Sequence, residues 1–523
     1  MNRILLFALA SFSSLQLSAQ CDSIQIPSSY TLASDLIMSG TYVVNGTFTV
    51  PVGITVFVTS HETNGCGELK IYATDIVIEG TIDGNYAGYI GGAGGARGAV
   101  VSSATGHESS LSSCNDPGNS GNIAVEGGFG GADGSGPGLG LAGANGENGS
   151  GSKQYCGNNQ DEAGVIGGAG GSGGGSGASY GGVASIGGTG GDGAYSATTD
   201  NLQIEGSYPI VGGNGGIGGA SSPIYGTVTE RDISIGSGGA GSGAGGRSYY
   251  LGTNGSSGGA GGGMIFLKAD NTMQISGTIS VLGEAGSNGG NGGSGDATAD
   301  CCSDPCNGCD ERTFSAGAGA GAGAGGGSGG GIFLEAIGTA DITGTLLASG
   351  GDGGNGGSNG AGISCDYTDF FCGDHSISTG AGNDGAAGGG GSGGRVKIYV
   401  ADCAEANVNP TVSIDGGTGF TASGTGSYEE VCGYIGLEEG EISIGWTVFP
   451  NPTRDIVSIS IHSGYDFSSN GSLQIFNALG QLVVSSEELS PEMTLSVSNL
   501  EPGVYTIRIT TESATEIKKM MKQ

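Results

Sequence analysis

Gly263-Met264-Ile265-Phe266-Leu267-Lys268-Ala269, followed by Met273-Gln274-Ile275-Ser276-Gly277-Thr278-Ile279-Ser280-Val281, is the stretch that decides the fold. It returns as Gly331-Ile332-Phe333-Leu334-Glu335-Ala336 with Asp341-Ile342-Thr343-Gly344-Thr345-Leu346-Leu347-Ala348. An earlier copy is Leu69-Lys70-Ile71-Tyr72-Ala73 with Ile76-Val77-Ile78-Glu79-Gly80-Thr81-Ile82, and a last one is Val396-Lys397-Ile398-Tyr399-Val400 with Thr411-Val412-Ser413-Ile414. A partial copy, Leu202-Gln203-Ile204-Glu205-Gly206-Ser207-Tyr208, lacks a clear first strand. The marker residues Ile78, Ile204, Ile275 and Ile342 stand 126, 71 and 67 positions apart, so one degenerate copy is expected in the first gap. Alternation puts Ile332, Leu334 and Ala336 on one face of a strand and Phe333 and Glu335 on the other. The equivalent residues are Ile265, Leu267 and Ala269 inside, Phe266 and Lys268 outside. Such a unit has one apolar face, no helical crossover and a glycine turn after the second strand. Stacking units buries each face against the next, which is the solenoid solution. The expected fold is all-β, with a parallel β-helix passenger; a chain of separate β-sandwiches is the plainer alternative.

The repeat resembles, at the level of pattern only, the pectin-lyase-like β-helix passengers of bacterial surface proteins, and no catalytic motif comes with that resemblance. Between the strand pairs lie long segments that hold most of the 119 glycines in the 523 residues. With only 12 prolines the chain is not collagen. Structureless segments of such length are uncommon in a compact protein. Their texture is regular: Asn288-Gly-Gly-Asn291-Gly-Gly-Ser294, Asp352-Gly-Gly-Asn355-Gly-Gly-Ser358 and Gly212-Gly-Asn214-Gly-Gly-Ile217-Gly-Gly-Ala220 keep a three-residue register. That period matches an extended helix of three residues per turn, whose glycine faces would let neighbours pack closely and bond laterally. Side bundles of polyglycine helices docked on the solenoid are therefore expected, with mobile loops as the alternative. Ala316-Gly-Ala-Gly-Ala-Gly-Ala-Gly-Ala324 has period two and reads instead as a flat, silk-like strand.

Lys and Arg total 15 against 49 Asp and Glu, giving a net charge of −34. That balance offers no footprint for a phosphate backbone and excludes nucleic-acid partners. Residues 1–19 read as a signal peptide: Arg3 is the basic n-region, Ile4 to Ala10 the apolar h-region, and Leu17-Ser18-Ala19 the cleavage site. No later run is long and apolar enough for a transmembrane anchor. Gln20 ahead of Cys21 speaks against lipidation there. The 12 cysteines all follow this signal, an even count that fits disulfides in an oxidising compartment. Cys301, Cys302, Cys306 and Cys309 have spacing that could hold zinc. Their Gly/Asp-rich setting in an exported chain favours local disulfides, and Cys365 with Cys372 reads as a stapled loop tip.

Composition divides the chain into the signal (1–19), N-terminal β-solenoid coils (20–84), a glycine-rich repeat passenger (85–445) and a tail (446–523). The tail holds only Gly464, Gly471, Gly480 and Gly503, and its strand-like segments imply a small β-sandwich. Three of its motifs, Val448-Phe-Pro450-Asn451-Pro452-Thr-Arg-Asp455, Ile475-Phe-Asn477-Ala-Leu-Gly480-Gln481 and Leu500-Glu-Pro502-Gly503-Val504-Tyr505, stand in an order and spacing that resemble the type A C-terminal sorting domain of the type IX secretion system of Bacteroidetes-type bacteria. Each has a physical reason. Pro450 and Pro452 hold Asn451 in an extended lead-in that cannot become helix. Asn477 to Gly480 makes a hairpin turn, and Pro502-Gly503 makes the last turn before the final strand. The resemblance implies the type IX machinery as partner, passage through the periplasm and across the outer membrane, removal of the tail, and release or attachment at the cell surface.

The passenger offers few groups for catalysis. His61, His107, His375 and His462 stand in no metal or triad spacing, and only nine Lys and Arg lie between the signal and the tail. So acidic a surface would repel an anionic polysaccharide. A β-helix lyase or hydrolase is accordingly the third choice, and no catalytic residue and no cofactor are assigned. Calcium fits better: Gly187-Gly-Thr-Gly-Gly-Asp192-Gly-Ala194 matches the β-roll nonapeptide once, where that fold needs tandem copies. Only weak calcium binding to scattered Asp is expected, and no metal site is named. The sequence thus reads as an exported structural or adhesive surface protein. The runner-up binds ice or a crystalline polymer. Trp446 is the only tryptophan, leaving Tyr249-Tyr250 and Phe370-Phe371 as candidate exposed aromatics.

Overall fold

The computed structural model describes residues 23–64, 66–102, 122–156, 161–194, 197–199, 212–229, 231–295, 312–369, 373–401, 406–433, 446–449, 451–461, 471–477, 481–486, 489–490, 492–510 and 515–523. The signal segment 1–19 lies outside them. The chain forms two compact units, 1–434 and 435–523. Both are built from strands; the described residues include one short α-helix, His61–Asn64.

In the large unit the repeats are the register of a parallel sheet. Glu68–Ile78 pairs with Gly40–Val50 on one side and Met264–Ile275 on the other. Met264–Ile275 then pairs with Gly331–Ala336 and Thr339–Ile342. The ladder continues through Arg395–Val400 to Ser427–Cys432. Leu69, Ile265, Ile332 and Val396 are successive partners along it. The shorter second strands form another parallel sheet, running Leu36–Met38, Thr55–Val58, Thr81–Asp83, Thr278–Ser280, Thr345–Leu347, Thr411–Ser413. The inward residues Leu69, Ile71, Ile265, Leu267, Ile332, Leu334, Val396 and Ile398 are buried completely in one apolar cluster. These parallel ladders fit the expected β-helix.

Two expectations about this sheet need correction. Because Met264–Ile275 pairs directly with Glu68–Ile78, the sheet has no place for a degenerate coil between them. The partial copy at 202–208 lies outside the described residues. Second, Phe333 and Glu335, expected on the outside, are 0% and 1% exposed. A segment around 225–235 covers this end of the outer face. Arg231 pairs with Glu335, and Lys397 Nζ lies 3.1 Å from Asp232 Oδ1. Arg395 donates from Nη2 to the Tyr225 carbonyl at 2.9 Å. Beneath this strap Phe266, Phe333 and Tyr399 stack at 4.9 and 5.1 Å between centroids. A charge on a strand is a sound sign of an outward face, but not of an uncovered one.

The glycine segments are ordered by lateral hydrogen bonds. In 317–326 the acceptor changes with every residue and returns after three. Gly317, Ala320, Gly323 and Gly326 donate to Gly380, Asn383, Ala386 and Gly389. Ala318, Gly321 and Ala324 donate to Gly293, Gly290 and Ser287, while Gly319 and Ala322 donate to Ala169 and Ser172. A β-strand sends successive N–H groups to two opposite sides; sending them to three sides requires three residues per turn. The Ala-Gly run is therefore a threefold extended helix, and the silk-like strand is excluded. The same cycle runs through 168–179, where the acceptors alternate among 185–194, 138–147 and a third set of neighbours.

Three such helices, 167–179, 236–246 and 316–331, contain only Gly, Ala and Ser and are buried throughout. Their interior has no large side chains, so cohesion comes from paired backbone groups, each bond worth about 1 kcal/mol net and costlier if left unmade. Glycine is required where backbones touch: a Cβ on Gly325 would lie 1.8 Å from the Ser176 carbonyl oxygen. At the rim, N–H groups that face solvent are taken by outward side chains of the next helix. Asn355 and Ser358 donate to the side-chain oxygens of Asn288 and Asn291, and Thr418 donates to Asp352. This accounts for the polar residue at every third position.

The small unit has two antiparallel sheets. One is Trp446–Phe449, Ile456–Ile461, Glu492–Ser496; the other is Leu482–Ser486, Ser472–Phe476, Gly503–Thr510, Thr515–Lys522. Trp446, Val457, Ile459, Leu473, Ile475, Tyr505, Ile507 and Met520 form its core. Val504–Ile509 does not end the sheet as the sequence suggested: Gly503–Thr510 is followed by Thr515–Lys522, paired along eight residues.

Candidate functional site

The motif residues of the small unit fall at its joints. Asn451 lies in the extended lead-in before Ile456–Ile461 and faces the edge of Thr515–Lys522 opposite Gly503–Thr510. Its Nδ2 donates to the Lys519 carbonyl at 2.9 Å, and its Oδ1 accepts from the Met521 N–H at 2.9 Å. Asn451-Pro452 is a cis peptide. Thr453, 1% exposed, donates its N–H to the Met521 carbonyl and accepts from the Gln523 N–H, both at 2.8 Å. Pro450 lies outside the described residues.

Asn477 closes the hairpin between Ser472–Phe476 and Leu482–Ser486. Its N–H donates to the Gln481 carbonyl, its Oδ1 accepts from the Gln481 N–H, and its Nδ2 donates to Gln481 Oε1. An Asn side chain that imitates a backbone turn is the reason for this residue type. Gly480 lies outside the described residues. The turn expected at Pro502-Gly503 lies earlier, from Val497 to Leu500, where the Leu500 N–H bonds the Val497 carbonyl at 3.1 Å; Gly503 already begins a strand. Tyr505 is 7% exposed, and its hydroxyl donates to the Glu501 carbonyl at 2.8 Å, tying core to turn. Thr453, inside the first motif, meets Lys522 in a parallel bridge, a pairing the motif letters do not reveal. Trp446 is a core residue, with the Lys518 ammonium 5.0 Å from its ring centre.

The remaining candidates are not brought together. Cys301, Cys302, Cys306, Cys309 and Cys372 lie outside the described residues. Cys365 sits in Ser364–Asp369, opposite Ile377. Cys66 is disulfide-bonded, and so, separately, is Cys432. His61 opens the short helix, its ring 4.7 Å edge-on from Tyr89; His375 lies in Gly373–Thr379; His107 and His462 lie outside the described residues. Asp192, the one carboxylate of the nonapeptide match, accepts the Gly215 N–H at 2.7 Å as part of the lattice rim. Among the described residues no group of three or more His, Cys, Asp or Glu could hold a metal ion. Tyr249 and Tyr250 meet edge-on at 4.9 Å, with Tyr250 exposed, while Phe370-Phe371 lies outside the described residues.

The strap gathers the buried charges that sequence reading missed. Burial pushes the Asp232 carboxyl up, but hydrogen bonds from Thr227 and Lys397 outweigh this and hold it below its ordinary value. Burial raises the Tyr180 and Tyr225 hydroxyls well above theirs. Tyr180 accepts the Ser234 N–H at 2.6 Å, and Tyr225 donates to the Ile235 carbonyl at 2.6 Å. These groups fasten the strap.

Residues 447–523 match the family of secretion system C-terminal sorting domains. No curated protein matches the chain. Among solved structures, PorZ, an essential bacterial surface component of the type-IX secretion system of Porphyromonas gingivalis, aligns at 19% identity. The alignment covers 17% of this chain and 13% of PorZ, with a TM-score of 0.14, and carries no argument. The small unit is thus a type IX sorting tail. It marks the chain for export to the cell surface or the extracellular space. Among the described residues no helix is long and apolar enough to cross a membrane.

Proposed function

We propose that the large unit, delivered across the outer membrane by its sorting tail, is a structural or adhesive surface protein: a parallel β-helix widened into a solid bundle of glycine helices. It is read as non-enzymatic and needing no cofactor beyond weak calcium binding. The observation that carries this reading is the lateral bonding of fully buried helices such as 316–331, which spends the interior on backbone pairing. A body of this kind supports rigid, flat, sparsely charged faces.

A second reading, binding to ice or a crystalline polymer, is favoured by one face. Along 183–192 the outward residues are Val183, Ile186, Thr189 and Asp192; beside them run Asn214, Ile217 and Ala220. Ile217 is 70% exposed. At three residues per turn each row repeats about every 9 Å, a spacing a crystalline surface could match. The exported protein should be assayed on a polysaccharide panel for binding and product release, and for ice recrystallisation. Catalytic turnover on any glycan would sink the structural reading, while ice shaping would replace it with the second. Deleting 447–523 should abolish surface or medium localisation; unchanged export would contradict the role of the tail.

A further inference from the structure

The carboxy-terminal strand Thr515–Lys522 is at the edge of its sheet, yet much of that edge is not free. Lys519 O, Met521 N, Met521 O and Gln523 N are bonded to residues 451–453. Pro452 has no N–H and cannot join a regular ladder. The Asn451 amide stands in for a peptide group, offering one donor and one acceptor at the positions of two ladder bonds. Residues almost 70 positions apart are thereby held as one edge. An unlatched edge strand would be open to pairing with other chains.

On the outer side of the last two strands Val504 and Met521 are register partners, 50% and 48% exposed, and Ile517 on the same face is 56% exposed. Lys519 alternates with them on that side. The position of this exposed strip depends on the strand that Asn451 fastens.

We propose that Asn451 is a positioning residue for sorting. It latches Thr515–Lys522 to the lead-in, so that the secretion machinery meets 451–453 and 517–523 as one composite surface. The proposal rests on the sorting role of this domain. In it, the machinery reads the latched edge and the apolar strip with Lys519, while Asn451 acts through the strand.

The test uses the full chain in a secreting cell, with Asn451→Ala, Asn451→Asp, a deletion of 447–523 and the unaltered protein. Export is scored at the surface and in the medium. Amide hydrogen exchange at Met521 and Gln523 is read on purified protein. Loss of two net hydrogen bonds should speed Met521 exchange about thirtyfold in Asn451→Ala. Export should fall at least severalfold in parallel. Asn451→Asp keeps the acceptor and loses the donor, so it should fall between on both readouts. Export lost with Met521 exchange unchanged would mean that Asn451 is itself read, overturning the positioning role. Faster exchange with export intact would overturn the link to sorting. Normal export of the deletion would instead refute the sorting reading beneath both.

Discussion

Gly325→Ala separates an ordered glycine bundle from mobile loops by the sign of its effect. In a flexible loop, replacing glycine by alanine restricts the unfolded chain and raises stability by about 0.4–1 kcal/mol. In the bundle, the new Cβ would stand 1.8 Å from Ser176 O and 2.4 Å from Ser176 C. Ordinary contact begins near 3.4 Å, so helix 316–331 and helix 167–179 must part by more than 1 Å. Both obstructing atoms are backbone and cannot swing aside. The displacement puts at risk the bonds Gly325 N–H to Ala240 O, Gly259 N–H to Gly325 O and Ala178 N–H to Gly326 O. Three buried bonds, each costing about 1–2 kcal/mol when stretched or left unmade, imply a loss of about 3–6 kcal/mol. Denaturant unfolding of the full chain gives the total. Hydrogen exchange at Gly325, Gly259 and Ala178 gives the local share. Gly503→Ala is the control, since the nearest atom there is 3.9 Å away. A Gly325→Ala protein as stable as the parent, with those amides unchanged, would refute the lattice.

Other expectations concern the strap and the tail. Arg231→Ala leaves Glu335, whose side chain is 2% exposed, without its ion-pair partner. A loss of about 3–5 kcal/mol is expected in denaturant titration, largely restored by Arg231→Ala with Glu335→Leu. Because the Asp232 carboxyl is held below its ordinary value, its contribution is present at neutral pH and is lost as pH falls through that lowered value, below about pH 4. The protection of the Ser234 amide, taken as the ratio of intrinsic to observed exchange at each pH, should fall there and stay flat between pH 5 and 7. Tyr505→Phe removes the bond to the Glu501 carbonyl and should lower tail stability by about 0.5–1.5 kcal/mol, read from the denaturant midpoint.

The strands were legible because alternation and repetition are local properties. Ile265, Ile332 and Val396 occupy equivalent places in their copies and become ladder partners. The extra coil expected between Ile78 and Ile275 came from spacing alone, which carries no information about pairing; the sheet passes directly from one to the other. The period-three glycine blocks announced their helix, whereas the Ala-Gly run concealed it. Alanine at every second position imitates a strand, and only the identity of the neighbours forces three residues per turn. The burial of Phe333 and Glu335 was invisible for the same reason: the strap that covers them comes from about 100 residues upstream, with no periodicity. In the tail the motif letters located Asn451 and Asn477, but Thr453 and Lys522 have no distinctive type, and their pairing is a matter of chain path alone.

The partners of helix 167–179 also bear on how the molecule comes to be built. Its N–H and C=O groups meet residues as early as Gly128 and as late as Ser392; Tyr180 N–H bonds Ser392 Oγ across 212 positions. Closing such loops costs entropy before any lateral bond rewards it, and folding rates fall as contacts become more remote in sequence. The centre of the bundle therefore cannot be completed on a growing chain until the last glycine block is available. Assembly has to be late, slow and all but concerted, and the unfinished chain must be kept apart from its copies until then.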